Sequence, residues 1–214
     1  MKTDPSQFIR ANTDVMTPPH VPEVRLHLAS EAHDLWLKTE EELDEIGLPP
    51  PFWAFAWAGG QGLARYVLDH AATVAGKKVL DFASGSGLVA IAASKAGAAS
   101  VIAADIDPWA ETAIALNAAE NVAEIVFTGD NLVGTDVRTD VLLAGDVFYD
   151  RAFAEMLVPW FVALSEKGAT VLVGDPGRAY LPKERLELLA TYQVPVTRAL
   201  EDSDVKKTTV WRFI

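Results

Sequence analysis

From residue 77 onward, short apolar runs rich in β-branched residues alternate with stretches of helical periodicity. Runs at 78–82, 100–106, 124–128, 140–145 and 170–174 read as strands. All but the third lack polar alternation, as strands covered on both faces do. The helical stretches carry their own punctuation. One over 88–96 meets Gly97, a residue suited to ending a helix. Asp107 and Pro108 open another through Ala119, with a carboxylate to cap free N–H groups and a proline whose φ already fits the first turn. A third covers 150–166 before Gly168, Pro182 opens a fourth, and a short one spans 63–68. This alternation predicts a parallel, doubly wound sheet with right-handed crossovers.

The ending breaks the rhythm. Runs at 193–200 and 208–213 are separated by only 201–207, too short for a crossover helix, so they should pair as an antiparallel hairpin. The expected fold is therefore α/β and Rossmann-like, with five parallel strands closed by that hairpin and helices on both faces. It looks like the seven-stranded sheet of S-adenosylmethionine-dependent methyltransferases. Residues 71–214 form the cofactor-binding core, and 1–70 form an N-terminal extension and lid segment packed on it, within one structural domain. The acidic run at 40–45 reads as a solvated helix face.

Composition narrows the chemistry. Half of the 214 residues are apolar and 22% are charged, which is ordinary for a folded domain. A net charge of −12 argues against nucleic acid and anionic lipid, whose phosphates are held by Lys and Arg. The absence of cysteine removes disulfides, thiolate metal sites and thiol nucleophiles. His20, His27, His33 and His70 do not cluster with carboxylates, so no metal site is expected. Ser84 and Ser86 have no histidine placed to activate them and read as turn residues. The uncharged stretch 46–64 is broken by Pro49, Pro50, Pro51 and several glycines, so it is no membrane span. The first residues show neither signal nor transit pattern, from which a cytoplasmic, bacterial protein is expected; a monomer is the expected state.

The first strand runs into Asp81-Phe82-Ala83-Ser84-Gly85-Ser86-Gly87 and then a helix. Glycines at 85 and 87 allow a tight turn and close backbone approach to a ligand at a helix N-terminus. Asp105 ends the second strand and suits a ribose diol. The same residues also satisfy the looser dinucleotide fingerprint G-x-G-x-x-A, so a nicotinamide oxidoreductase stays open on the glycines alone. Asp81 favours the other reading, because a carboxylate there suits a cationic amino-acid end and is an odd neighbour for a pyrophosphate. Asp130 and Asn131, after the third strand, fit an adenine amino group or else a simple Asx turn.

Asp146-Val147-Phe148-Tyr149 follows the fourth strand, and this D-x-x-Y resembles the signature of seven-strand protein lysine methyltransferases. Further segments agree: Pro51 to Gln61, Ala104-Asp105-Ile106-Asp107-Pro108, and Gly174-Asp175-Pro176-Gly177-Arg178. Asn12-Thr13-Asp14-Val15 and Pro22-Glu23-Val24-Arg25-Leu26 lie upstream. Together, over roughly residues 8 to 212, they resemble the lysine methyltransferases of the electron transfer flavoprotein β subunit. One departure is Ala58, where mitochondrial members carry proline.

The resemblance implies S-adenosylmethionine as cofactor, S-adenosylhomocysteine as product, no metal, and the flavoprotein β subunit as protein partner. It implies cofactor contacts from Trp57, Gly60, Gln61, Ala83 and Ile106, beside Asp81, Gly85, Gly87, Asp105, Asp130 and Asn131. Trp53, Phe148, Asp175 and Arg178 would meet the substrate. Asp146 would hold the incoming amine and Tyr149 would orient the lysine; the alternative for Asp146 is a cap for the helix after Tyr149. Rival functions are a methyltransferase acting on another protein, such as a ribosomal one, or on a small molecule, and an inactive adapter of the same fold.

Overall fold

The computed structural model describes residues 4–30, 35, 49–197 and 203–214. Asp4 accepts from Ser6 N at 3.0 Å and starts α1 (Pro5–Ala11), whose Pro5 suits the first turn. β1 (Asp14–Met16) and β2 (Leu26–Leu28) then pair antiparallel. After a 3-10 turn at Phe52–Ala54 comes α2 (Ala58–Asp69). The core follows with β3 (Lys78–Phe82), α3 (Leu88–Lys95), β4 (Ser100–Ala104), α4 (Pro108–Asn121) and β5 (Val126–Thr128). It continues with β6 (Val141–Gly145), α5 (Arg151–Glu166), β7 (Thr170–Asp175), β8 (Leu186–Pro195) and β9 (Val205–Phe213).

Among the described residues β3 to β9 make a seven-stranded sheet in the order β5-β4-β3-β6-β7-β9-β8. The first five are parallel, and β9 runs antiparallel between β7 and β8. The predicted architecture is thus observed. Strand order reverses between β3 and β6, so their carboxyl ends open the crevice in which such sheets bind ligands.

Side chains divide by the two-residue period of the strands. Val141 and Leu143 face one side with α2, α3 and α4; Leu142 and Ala144 face the other with α5. Ile9, Val21, Val24 and Leu26 of the N-terminal segment are fully buried in the first of these clusters.

Four local expectations need correction. Pro182 does not open a helix: a 3-10 turn at Lys183–Arg185 leads straight into β8. The hairpin strand accordingly begins at 186, not 193, and pairs Pro195 with Val205 around a bulge at Leu188/Ala190. Pairing with β9, whose Thr208, Thr209 and Val210 are buried, outweighs the local proline signal. β4 is not covered on both faces. Ile102 is 41% exposed beside the exposed Val126 of β5, because α5 is the helix on that side and 129–140 contains no helix to extend the cover. The short helix expected at 63–68 is the longer α2. The acidic run 40–45 and residues 198–200 of the expected strand lie outside the described residues.

α2 meets the sheet edge through bare backbone. A Cβ on Gly145 would lie 2.8 Å from Gly60 Cα, and one on Gly174 would overlap the Gly59 carbonyl and come within 2.8 Å of Leu63 Cβ. Gly174→Ala is therefore expected to cost about 1–3 kcal/mol through overpacking, measured by urea denaturation. Gly60→Ala, whose added methyl would find only ordinary contacts at 4.0 Å, is expected to cost nothing.

Candidate functional site

The crevice holds a cavity of about 600 Å³. Its floor is the β3–α3 turn. Ala83, Gly85 and Gly87 all take positive φ, at 53°, 52° and 79°, which curls the backbone tightly between strand and helix. Asp81, 1% exposed, accepts from Ser84 Oγ at 2.5 Å and from Ala90 N at 2.9 Å. None of these partners is a cation, and burial pushes its carboxyl up to about 7 against the opposing pull of those two bonds. Asp105 accepts from Gly85 N at 2.8 Å and Asp107 N at 3.0 Å, and burial raises it too. Asp107 itself caps α4 through Trp109 N at 2.9 Å, as its place before Pro108 predicts.

Aromatic rings form the opposite wall. Trp57 is the N-cap of α2 and donates its indole N–H to the Phe52 carbonyl at 3.1 Å. The Phe52 ring lies 5.9 Å from Trp57 and 6.0 Å from Tyr149. Tyr149 is half-exposed, and burial followed by Asp150 holds its phenol above the ordinary value, so it stays neutral. Trp53 is buried, stacked 6.3 Å from Trp109, and reaches the cavity from below. Ala58 is the first residue of α2, where proline is equally suited, so the departure in sequence keeps the same turn.

Asp146 directly follows β6, with φ of 57°. One carboxylate oxygen accepts from Arg178 Nη2 at 2.6 Å and Nε at 3.0 Å. The other accepts from Gly59 N and, at 3.1 Å, from Gly60 N. It therefore caps α2 from outside that helix, whereas Asp150 caps α5 through Phe153 N at 2.8 Å. Asp175 accepts from Gly177 N at 2.6 Å and Arg178 N at 2.7 Å, folding the loop that delivers Arg178 to Asp146.

The cavity thus brings together Trp53, Trp57, Gly60, Asp81, Ala83, Gly85, Asp105, Ile106, Asp146, Tyr149 and Arg178 from the expected set. Six others lie off its wall. Gln61 is buried, accepting from His20 N at 3.2 Å and donating to Ala56 O at 2.7 Å. Gly87 sits behind the turn against Ile114. Phe148 is wholly buried between Phe161 and Phe213, in the core on the α5 side of the sheet, because the left-handed backbone of Asp146 breaks the extended run before it. Asp175 is a buried loop former. Asn131 makes the simple Asx turn by accepting from Val133 N at 3.1 Å, whereas Asp130 accepts from Thr128 Oγ1 at 3.0 Å and donates its own N–H back to that oxygen at 3.3 Å. The expectation omitted Phe52, Phe55 and Phe153, which also line the cavity; the aromatic density of 52–57 was the available signal for the first two. Among the described residues no group of His, Asp and Glu could hold a metal. No described helix is long and apolar enough to cross a membrane.

Comparison with known proteins matches this arrangement. Residues 64–172 match the family model described as Ribosomal protein L11 methyltransferase (PrmA). The chain is 37% identical to the electron transfer flavoprotein beta subunit lysine methyltransferase of Xenopus laevis, over 99% of this chain and 87% of that one. It is also 37% identical to the protein of that name from Danio rerio, over 98% and 83%. The chain belongs to the electron transfer flavoprotein β subunit lysine methyltransferase family. Its central 64–172 belong at the same time to the broader L11 methyltransferase family. Magnesium protoporphyrin IX methyltransferase from Synechocystis PCC 6803, solved with bound SAM, shares the fold with this family member. That likeness has a TM-score of 0.56 at 14% identity, over 87% of this chain and 100% of that one.

In this methyltransferase family member, Asp81 gives a pH signature. Its folded pKa of about 7 lies above the ordinary carboxylate value. The stability it contributes is therefore full below that ordinary value and lost as pH rises through about 7. Between about pH 5 and pH 8 the wild-type protein is expected to lose more unfolding free energy than Asp81→Asn, as read by urea denaturation at each pH.

Proposed function

We propose that the chain moves the methyl group of S-adenosylmethionine to a lysine of the electron transfer flavoprotein β subunit, leaving S-adenosylhomocysteine. The cofactor half is carried by one observation: a buried carboxylate, Asp81, and a half-buried one, Asp105, flank a glycine turn in a 600 Å³ cavity. Asp81, bonded among the described residues to a hydroxyl and an amide N–H, fits a cationic amino-acid end. Asp105 fits a ribose diol on the other side of the turn. The substrate half rests on relationship along nearly the whole chain to proteins named for that reaction.

Bound in the cavity, S-adenosylmethionine supplies a methyl group already activated on a sulfonium. The chain's own part is to bind, orient and exclude water. Methyl transfer needs a neutral amine aligned at attack distance, while a free lysine titrates near ~10.4. Phe52, Trp57 and Tyr149 at the mouth disfavour an ammonium by displacing water. An unpaired carboxylate beside the amine would work against them by holding its proton. Asp146 avoids this because Arg178 neutralises it, so the pair presents oriented dipoles with no net charge. Asp146 and Tyr149 then position the amine, and solvent at the open mouth takes the proton.

Purified protein, S-adenosylmethionine and the flavoprotein are expected to give β-subunit mass gains in steps of about 14 Da per methyl, abolished by Asp105→Ala. No gain with S-adenosylhomocysteine still bound would discard the substrate, and no binding would discard the cofactor.

A further inference from the structure

α4 carries two asparagines one turn apart, Asn117 and Asn121, and both face β2. Asn121 Oδ1 accepts from Arg25 N at 3.0 Å while its Nδ2 donates to Arg25 O at 2.6 Å. Asn117 Oδ1 accepts from His27 N at 2.7 Å. Arg25, the residue just before β2, and His27 within it are two apart, a rise of about 6.7 Å in extended chain. Residues four apart on a helix rise about 6.0 Å, so the two amides match the strand spacing and serve its free edge as a neighbouring strand would.

Asn117 has a second partner. It is fully buried, and its Nδ2 donates to the Ser86 carbonyl at 2.8 Å, inside the glycine turn that floors the cavity. Its orientation is unambiguous, because the oxygen faces an N–H and the nitrogen faces a carbonyl. The N-terminal segment is clipped a second time where His20 N meets Gln61, which holds the Ala56 carbonyl just before α2. Residues 20–27 therefore bridge the two sides of the cavity, the aromatic wall and the glycine turn.

We propose that Asn117 is a positioning residue for the cofactor. It transmits the docking of β2 to Ser86, so that the turn is shaped to bind only when the N-terminal segment is in place. The inference rests on the reading of the cavity as a cofactor site. Asn117→Asp keeps the size and the oxygen that faces His27 but removes the donor to Ser86. In this variant the dissociation constant of S-adenosylhomocysteine by calorimetry, and KM for S-adenosylmethionine, are expected to rise about tenfold with kcat at saturation within about twofold. A merely structural role would lower kcat with the folded fraction and leave KM unchanged, and would overturn the proposal.

A second measurement needs no variant. In the wild type, S-adenosylhomocysteine is expected to slow hydrogen exchange of the Arg25 and His27 amides, which lie outside the cavity. Unchanged exchange there would overturn the coupling. A wild type that binds no S-adenosylhomocysteine would remove the cofactor reading and this inference together. A wild type and Asn117→Asp that bind equally would remove this inference alone.

Discussion

The carboxylate of Asp146 ties together three elements whose closest approach is through bare backbone. It closes the first turn of α2 through Gly59 and Gly60, directly follows β6, and holds Arg178 beyond β7. Free N–H groups at a helix start and a guanidinium are both donors that an ionised carboxylate satisfies strongly. A cap of this kind contributes about 1 kcal/mol, and hydrogen bonds to charged groups contribute about 1.5–3 kcal/mol. The left-handed backbone of Asp146 costs about 1–3 kcal/mol in return, which those bonds offset. Glycine at 59, 145 and 174 is what allows the carboxylate and the helix to come this close.

That arrangement decides how the cavity is built. Trp57 precedes α2, so fixing the first turn of the helix also fixes the aromatic wall. Tyr149 lies three residues after Asp146 and faces Phe52 across the mouth. Asp175 acts one step further back: it shapes the turn from which Arg178 reaches Asp146. Asp146 is thus frame and cavity wall at once. The cap expected from sequence for the helix after Tyr149 is supplied by Asp150, while Asp146 caps a helix that precedes it by more than eighty residues in the chain.

How far the sequence revealed this depended on whether each signal was local. Gly85, Gly87, Asp81 and Asp105 announce a ligand turn because a glycine turn between strand and helix has few other uses. Asp107-Pro108 announces α4 because a cap and a first-turn proline act within one turn. Pro182 offered the same local signal and failed, since 186–195 finds a better partner in β9 than in itself. Asp130 and Asn131 satisfied their own turn instead of reaching the cavity. The trans cap at Gly59 and the Asn117 link are pairings across 87 and 31 residues. No periodicity records such contacts.

Hydrogen exchange at the Gly59 and Gly60 amides in wild type and Asp146→Asn tests the central claim most directly. An asparagine there has a single accepting oxygen for donors that now use two. Exchange at Gly59 and Gly60 is predicted to quicken by about tenfold, while Leu142 in the middle of the sheet keeps its protection. Unchanged exchange at both glycines, with methyl transfer nonetheless lost, would contradict it and leave Asp146 with a role in the chemistry alone.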